Sequence, residues 1–163
     1  MTAKTQQLQI RVSPRQKAAL KRQAAAAGLD VSGYVLSRVL PDEGERFAHL
    51  LRLLRHGTQH KYALAELNDL LSACPPAVFR DAVAHADLAS LTHYLQNYVA
   101  AMVEQAAEQK QVPPPAWVHD IPPLDVPHFA TTLVGLRLHL MRSAPVPFKR
   151  RNIFVDAGVG ARV

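Results

Sequence analysis

The chain has 163 residues, of which 48% are apolar and 20% charged, and a formal charge of +6. That composition excludes a wholly disordered chain, and the single Cys74 excludes an internal disulfide or a cysteine zinc finger. No run reaches the roughly 18 apolar residues needed to cross a bilayer, and the polar start Met1–Gln9 has no secretory pattern, so a cytoplasmic protein without membrane contact is expected.

The charge lies in blocks. Residues 1–40 hold seven cations (Lys4, Arg11, Arg15, Lys17, Lys21, Arg22 and Arg38) against Asp30 alone. Residues 41–136 hold six basic and eleven acidic groups, and residues 137–163 hold six basic groups against Asp156. Both ends are therefore basic and the middle is acidic.

In chain order, Gln7–Val12 alternates polar and apolar, the period of a half-buried strand. Ser13-Pro14-Arg15-Gln16 is a helix start, with Ser13 as cap, Pro14 in the first turn and Gln16 at the capping-box return position. The helix it opens runs to about Ala27 and stops at Gly28. Asp30 can cap a second helix from Val31 to about Leu40, before Pro41. Apolar periodicity then predicts helices over Glu43–His56, His60–Ser72, Pro75 to about Ala86, Leu88 to about Gln109, and His128–Met141. Residues 111–127 contain six prolines and cannot form a regular helix. Phe148–Val155 reads as an extended or strand-like tail. The predicted fold is mainly α: a strand–helix–helix module over 1–41, a helical region over 42–111, and a Pro-rich arm, helix and basic tail over 112–163.

One strand without a partner is unstable, and about 40 residues bury too little surface alone. Both deficits vanish if two chains pair Leu8–Val12 antiparallel over the helices. Leu8, Ile10 and Val12 would then face inward, and Gln7, Gln9 and Arg11 outward as a two-fold row. Gln can pair with adenine and Arg can fork onto guanine, and a two-stranded ribbon fits the major groove. The backbone N–H groups of Val31–Gly33, beside the Ser32 hydroxyl, can hold a phosphate. Lys4, Arg15, Lys17, Lys21 and Arg22 add sequence-independent attraction. An edge strand of one larger domain with solvated cations is the alternative.

Leu8-Gln9-Ile10-Arg11-Val12-Ser13-Pro14, then Leu20, Gly28-Leu29-Asp30-Val31-Ser32 and Tyr34, resembles the ribbon-helix-helix (MetJ/Arc-like) repressor family over about a quarter of the chain. Gly33 departs from it, since a better helix former is usual there; the cost is up to about 1 kcal/mol.

Downstream, the eight histidines show no dependable metal spacing, and no phosphate loop, carboxylate pair or nucleophile elbow is present. Neither an enzyme nor a cofactor is expected, and Cys74 reads as a small buried residue. The Pro-rich arm carries Trp117, and an arm packed over the protein's own helices is the alternative to a partner surface there. In the tail, Phe148, Arg150, Asn152 and Phe154 alternate with Lys149, Arg151, Ile153 and Val155, as a strand docking on a partner's sheet edge would. Pro114-Pro115-Ala116-Trp117, Pro122-Pro123-Leu124, Leu136–Leu140 and Phe148–Phe154 are similar to putative antitoxins encoded beside nucleotidyltransferase-like toxins. That resemblance implies a partner surface made of Trp117, Phe148, Arg150, Arg151, Asn152, Ile153 and Phe154. The expected function is an antitoxin that dimerises, represses its own operon by binding operator DNA, and neutralises a co-encoded toxin. The alternatives are a stand-alone repressor or a plasmid relaxosome accessory protein.

Overall fold

A computed structural model describes residues 9–26, 28–39, 43–55 and 60–156. These residues form eight helices, one 3₁₀ turn and a two-stranded parallel sheet, so the protein is mainly helical. The chain divides into two compact units, residues 1–42 and 43–163.

In the first unit, α1 (Pro14–Ala26) is followed by α2 (Val31–Val39). The capping box closes reciprocally. Gln16 N–H donates to Ser13 Oγ at 3.3 Å, and Ser13 N–H donates to Gln16 Oε1 at 2.8 Å. Gly28, at φ 68°, ends α1: its N–H donates to Ala25 O, and Leu29 N–H reaches back to Ala24 O. Asp30 then caps α2, accepting Gly33 N–H on Oδ1 at 2.7 Å. Tyr34 OH donates to Gln23 Oε1 at 3.2 Å and ties the two helices together. Of the strand predicted over residues 7–12, Gln7 and Leu8 lie outside the described residues. Gln9–Val12 form no regular element in the single chain. A ribbon strand needs its second chain to close its hydrogen bonds.

In the second unit, α3 (Glu43–Leu53), α4 (His60–Ala73) and α5 (Pro76–Ala82) send Phe47, Leu50, Leu51, Leu67, Leu71 and Phe79 into one core. Its centre is α6 (His93–Lys110), on which Val99, Ala100, Ala101, Met102, Val103, Ala106 and Ala107 are all buried. Alanine on several faces lets neighbouring elements approach closely, which is why a helix with so many small residues becomes the axis of the unit. Thr92 Oγ1 caps it by accepting Leu95 N–H, so α6 begins at His93 and not at the predicted Leu88. It ends at Gln111, whose left-handed φ of 56° lets Val112 N–H return to Ala107 O.

The remaining residues complete this same core and form no separate segment: Val118, Phe148, Ile153 and Val155 are buried in it. A 3₁₀ turn at Ala116–Val118 leads to β1 (His128–Phe129), followed by α7 (Val134–Ser143), α8 (Val146–Lys149) and β2 (Ile153–Phe154). β1 and β2 pair in parallel, His128 opposite Ile153 and Phe129 opposite Phe154. Two predictions are corrected here. Residues 128–129 form a strand, not the start of a helix, because His128 N–H donates to Asn152 O and Ala130 N–H to Phe154 O. This distant pairing overrides the local periodicity. Residues 148–155 are not one strand either. Pro145 opens a helical turn, Pro147 fits its start, and Asn152 at φ 57° reverses the chain into β2. Among the described residues, no helix is long and apolar enough to cross a membrane.

Candidate nucleic-acid interface

Gln9 and Arg11 are exposed, two apart at the N-terminal edge of the first unit. If Gln9–Val12 extend in a ribbon, these two side chains share one face and Ile10 and Val12 the other. Arg15, Lys17, Lys21 and Arg22 on α1 are exposed as well. Gln7 and Lys4 lie outside the described residues. The start of α2 differs from expectation in one respect. Gly33 N–H is already taken by Asp30, so a phosphate would meet Val31 N–H, Ser32 N–H and the Ser32 hydroxyl beside a carboxylate. The same contact explains the glycine. A Cβ at position 33 would stand 2.6 Å from Asp30 Oδ1, so the cap and a larger residue compete for one space.

Several apolar residues of this unit are exposed in the single chain. Ala24 is the one buried hydrophobic residue described in it, whereas Ile10 is 60% exposed and Val12, Leu29, Val31 and Leu36 are also exposed. Leu29, Val31 and Leu36 were missed by reading the strand alone. Part of the signal was available in the helix period of α2, which places Val31 and Val35 on one face with Leu36 about 140° round from Val31.

Of the seven residues expected to form a partner surface, Phe148, Arg151 and Ile153 are buried in the second unit, Trp117, Asn152 and Phe154 are half-buried, and Arg150 is exposed. Phe148 and Ile153 are fully buried. Trp117 Nε1 donates to Val83 O at 2.9 Å. Phe154 stacks on Phe129, with ring centroids 4.8 Å apart, and Asn152 Nδ2 donates to Leu124 O. Arg151 is buried: Nη2 donates to Val118 O at 2.7 Å, and Nη1 donates to Asn97 Oδ1 at 3.2 Å and to Ile121 O at 3.4 Å. Glu104, itself buried, lies 3.6 Å from Arg151 Nη2 and 3.0 Å from Arg150 Nη1. Burial lowers the Arg151 pKa, and the neighbouring Glu104 carboxylate works against that shift. Asn97 completes the cluster, with Nδ2 donating to Pro122 O at 3.0 Å. The basic tail is thus a clamp that holds the Pro-rich arm against α6, and its charge is answered by Glu104. A partner that needs Phe148, Arg151 and Ile153 on the surface would have to unfold this unit. An arm packed on the protein's own helices was among the sequence readings, but its anchors were not legible, because Asn97 and Glu104 lie about 50 residues upstream of the arginines.

A capped basic helix with a second helix tied across it, preceded by the alternating polar and apolar residues 9–12, is consistent with the ribbon-helix-helix class of DNA-binding module. Residues 2–55, about a third of the chain and including all of α1 and α2, are similar to the NikA-like family, described as mobilization protein NikA. No curated protein and no solved structure matches the chain.

Proposed function

We propose that this protein binds double-stranded DNA as a homodimer built on its first unit, and serves as a mobilization accessory protein at a plasmid transfer origin. The observation that carries the reading is the first unit's apolar surface. Ile10, Val12, Leu29, Val31 and Leu36 are exposed in the single chain, and so are Arg11, Arg15, Lys17 and Lys21 of the same unit. A second chain removes the apolar side chains from water and leaves the cations outward, where phosphates would be met. The similarity to a mobilization family over the same residues favours a transfer origin over an operator. Repression of its own gene is compatible with the same module. The toxin-neutralising role keeps only its resemblance: of the tail residues assigned to toxin capture, Phe148, Arg151 and Ile153 are buried, while Arg150 is exposed. No catalysis is part of this reading. Burial, and secondarily Glu43, pushes the Cys74 thiol above its ordinary pKa, which makes it a poor nucleophile.

The experiment pairs sedimentation with DNA titration of the full chain. The native protein should be dimeric and bind a transfer-origin fragment more tightly than the fragment upstream of its own gene and than random DNA. Ile10→Lys should abolish dimer and DNA binding together. A monomer that binds all three fragments equally would refute the proposal.

A further inference from the structure

One surface of the second unit is used by nothing described above. Helix α7 buries only Leu140. Leu136, His139 and Leu140 line a cleft of about 340 Å³ with Tyr98, Val155 and Asp156, which marks that side of α7 as facing its own unit. Val134, Leu138 and Met141 are not among the cleft's lining and are 71%, 66% and 48% exposed. Their spacing, i, i+4, i+7, puts the three on one stripe of the helix. At 3.6 residues per turn, Arg137 falls on one side of that stripe and Arg142 on the other, and both are exposed. From Val126 to Val155 the chain has no Asp or Glu.

An apolar seam with a charge on each flank is the pattern by which one amphipathic helix takes another. The flanking charges select the partner. A second copy of α7 would set arginines against arginines with no carboxylate between them, and like charges brought together oppose docking. A helix with its own apolar stripe and flanking Asp or Glu would bury Val134, Leu138 and Met141 and pair both arginines. We propose that the Val134–Leu138–Met141 face of α7, between Arg137 and Arg142, docks a carboxylate-flanked amphipathic helix of another protein. This surface is separate from the first unit's residues, so DNA binding can fail while docking stands.

The test uses the full chain and two labelled synthetic helices of about three heptads, with identical Leu seams and either Glu or Lys at every flanking position. Fluorescence anisotropy should show the Glu helix bound at least about tenfold more tightly than the Lys helix. Leu138→Asp should remove binding of the Glu helix. The double change Arg137→Glu with Arg142→Glu should reverse the preference. Both changes are on exposed side chains, and circular dichroism checks that helicity is kept. If either variant loses helicity, Leu138→Ala replaces it and should weaken the Glu helix at least severalfold. Equal affinity for the two helices, or Glu-helix binding that survives both variants, would overturn the proposal, since the latter would report the N-terminal cations. So would sedimentation showing that Leu138→Asp dissociates an assembly of copies. Binding of phosphatidylserine vesicles through Leu138, with neither helix bound, would assign the face to lipid and overturn it too.

Discussion

Adjacent arginines in the tail have opposite situations, and so opposite expected sensitivities. Arg150 has a side chain 63% exposed, paired with Glu104 and more distantly with Glu108. Solvent screens that pair, so Arg150→Ala should cost less than about 1 kcal/mol. Arg151 is buried, and its removal orphans Asn97 Oδ1 and the carbonyls of Val118 and Ile121 while leaving Glu104 with one cation fewer. Arg151→Ala should cost about 3–5 kcal/mol, measured by urea unfolding of the full chain. Equal costs would show that Arg151 does not hold the arm. A second residue-scale test is titration. Tyr94 packs on His128, with centroids 4.3 Å apart, and near Tyr98. Burial, with a smaller contribution from Tyr98, pushes its pKa up from 10.0 to about 12. The folded state therefore retains a proton that the unfolded state releases. That stability is fully present below pH 10 and is lost as pH rises from 10 to about 12. In Tyr94→Phe, this part of the alkaline loss should disappear in a melting series across that range.

Elements closed by neighbouring residues were legible in the sequence, and elements closed from a distance were not. Ser13, Gln16, Gly28 and Asp30 act within three to five residues of what they cap, and each does what its residue type predicts. The true start of α6 was also local, at Thr92, but the apolar Leu88 and Leu91 masked it by extending the helical pattern upstream. β1 could not be read locally, because its strand character comes from backbone partners at Asn152 and Phe154. Nor could α7 be assigned to surface or core, because its leucines fit either. The local signals carry their own prediction. Ser13→Ala removes the acceptor for Gln16 N–H and should destabilise each chain by about 1 kcal/mol. Gly28→Ala, at φ 68°, should cost about 1–2 kcal/mol although open space surrounds the position. Both should lower the unfolding midpoint of the proposed dimer, and DNA affinity measured well above its dissociation constant should stay unchanged. A loss of affinity under those conditions would mean that the α1 ends contact DNA directly.

At the scale of the whole molecule, the two units put very different demands on the chain. The first is short, carries one buried hydrophobic residue among those described, and in the proposed reading takes its missing core from a second chain. The second has its own core, and that core is closed by its last described residues. Phe148, Ile153 and Val155 fill it, Arg151 meets Glu104, and Leu124 N–H and Asn152 Nδ2 join the arm to the turn before β2. Deleting residues 148–163 would remove three buried side chains and leave Glu104 buried without its arginines, on top of several orphaned carbonyls. Each buried apolar side chain lost costs about 1.5–3 kcal/mol, and an uncompensated buried charge adds several more. The sum, about 8–14 kcal/mol, is as large as the net stability of many ordinary domains, about 5–15 kcal/mol. The deletion should therefore unfold residues 43–147. No described residue of the first unit stands in that core, so the proposed dimer and its DNA affinity should persist. Circular dichroism should show most of the helix lost, while a DNA titration of the same sample keeps its midpoint. If the shortened chain kept its helix content and a cooperative melt, the tail would be an appendage and not the clamp described here. If DNA binding vanished along with the helix, the two units would not be independent in stability.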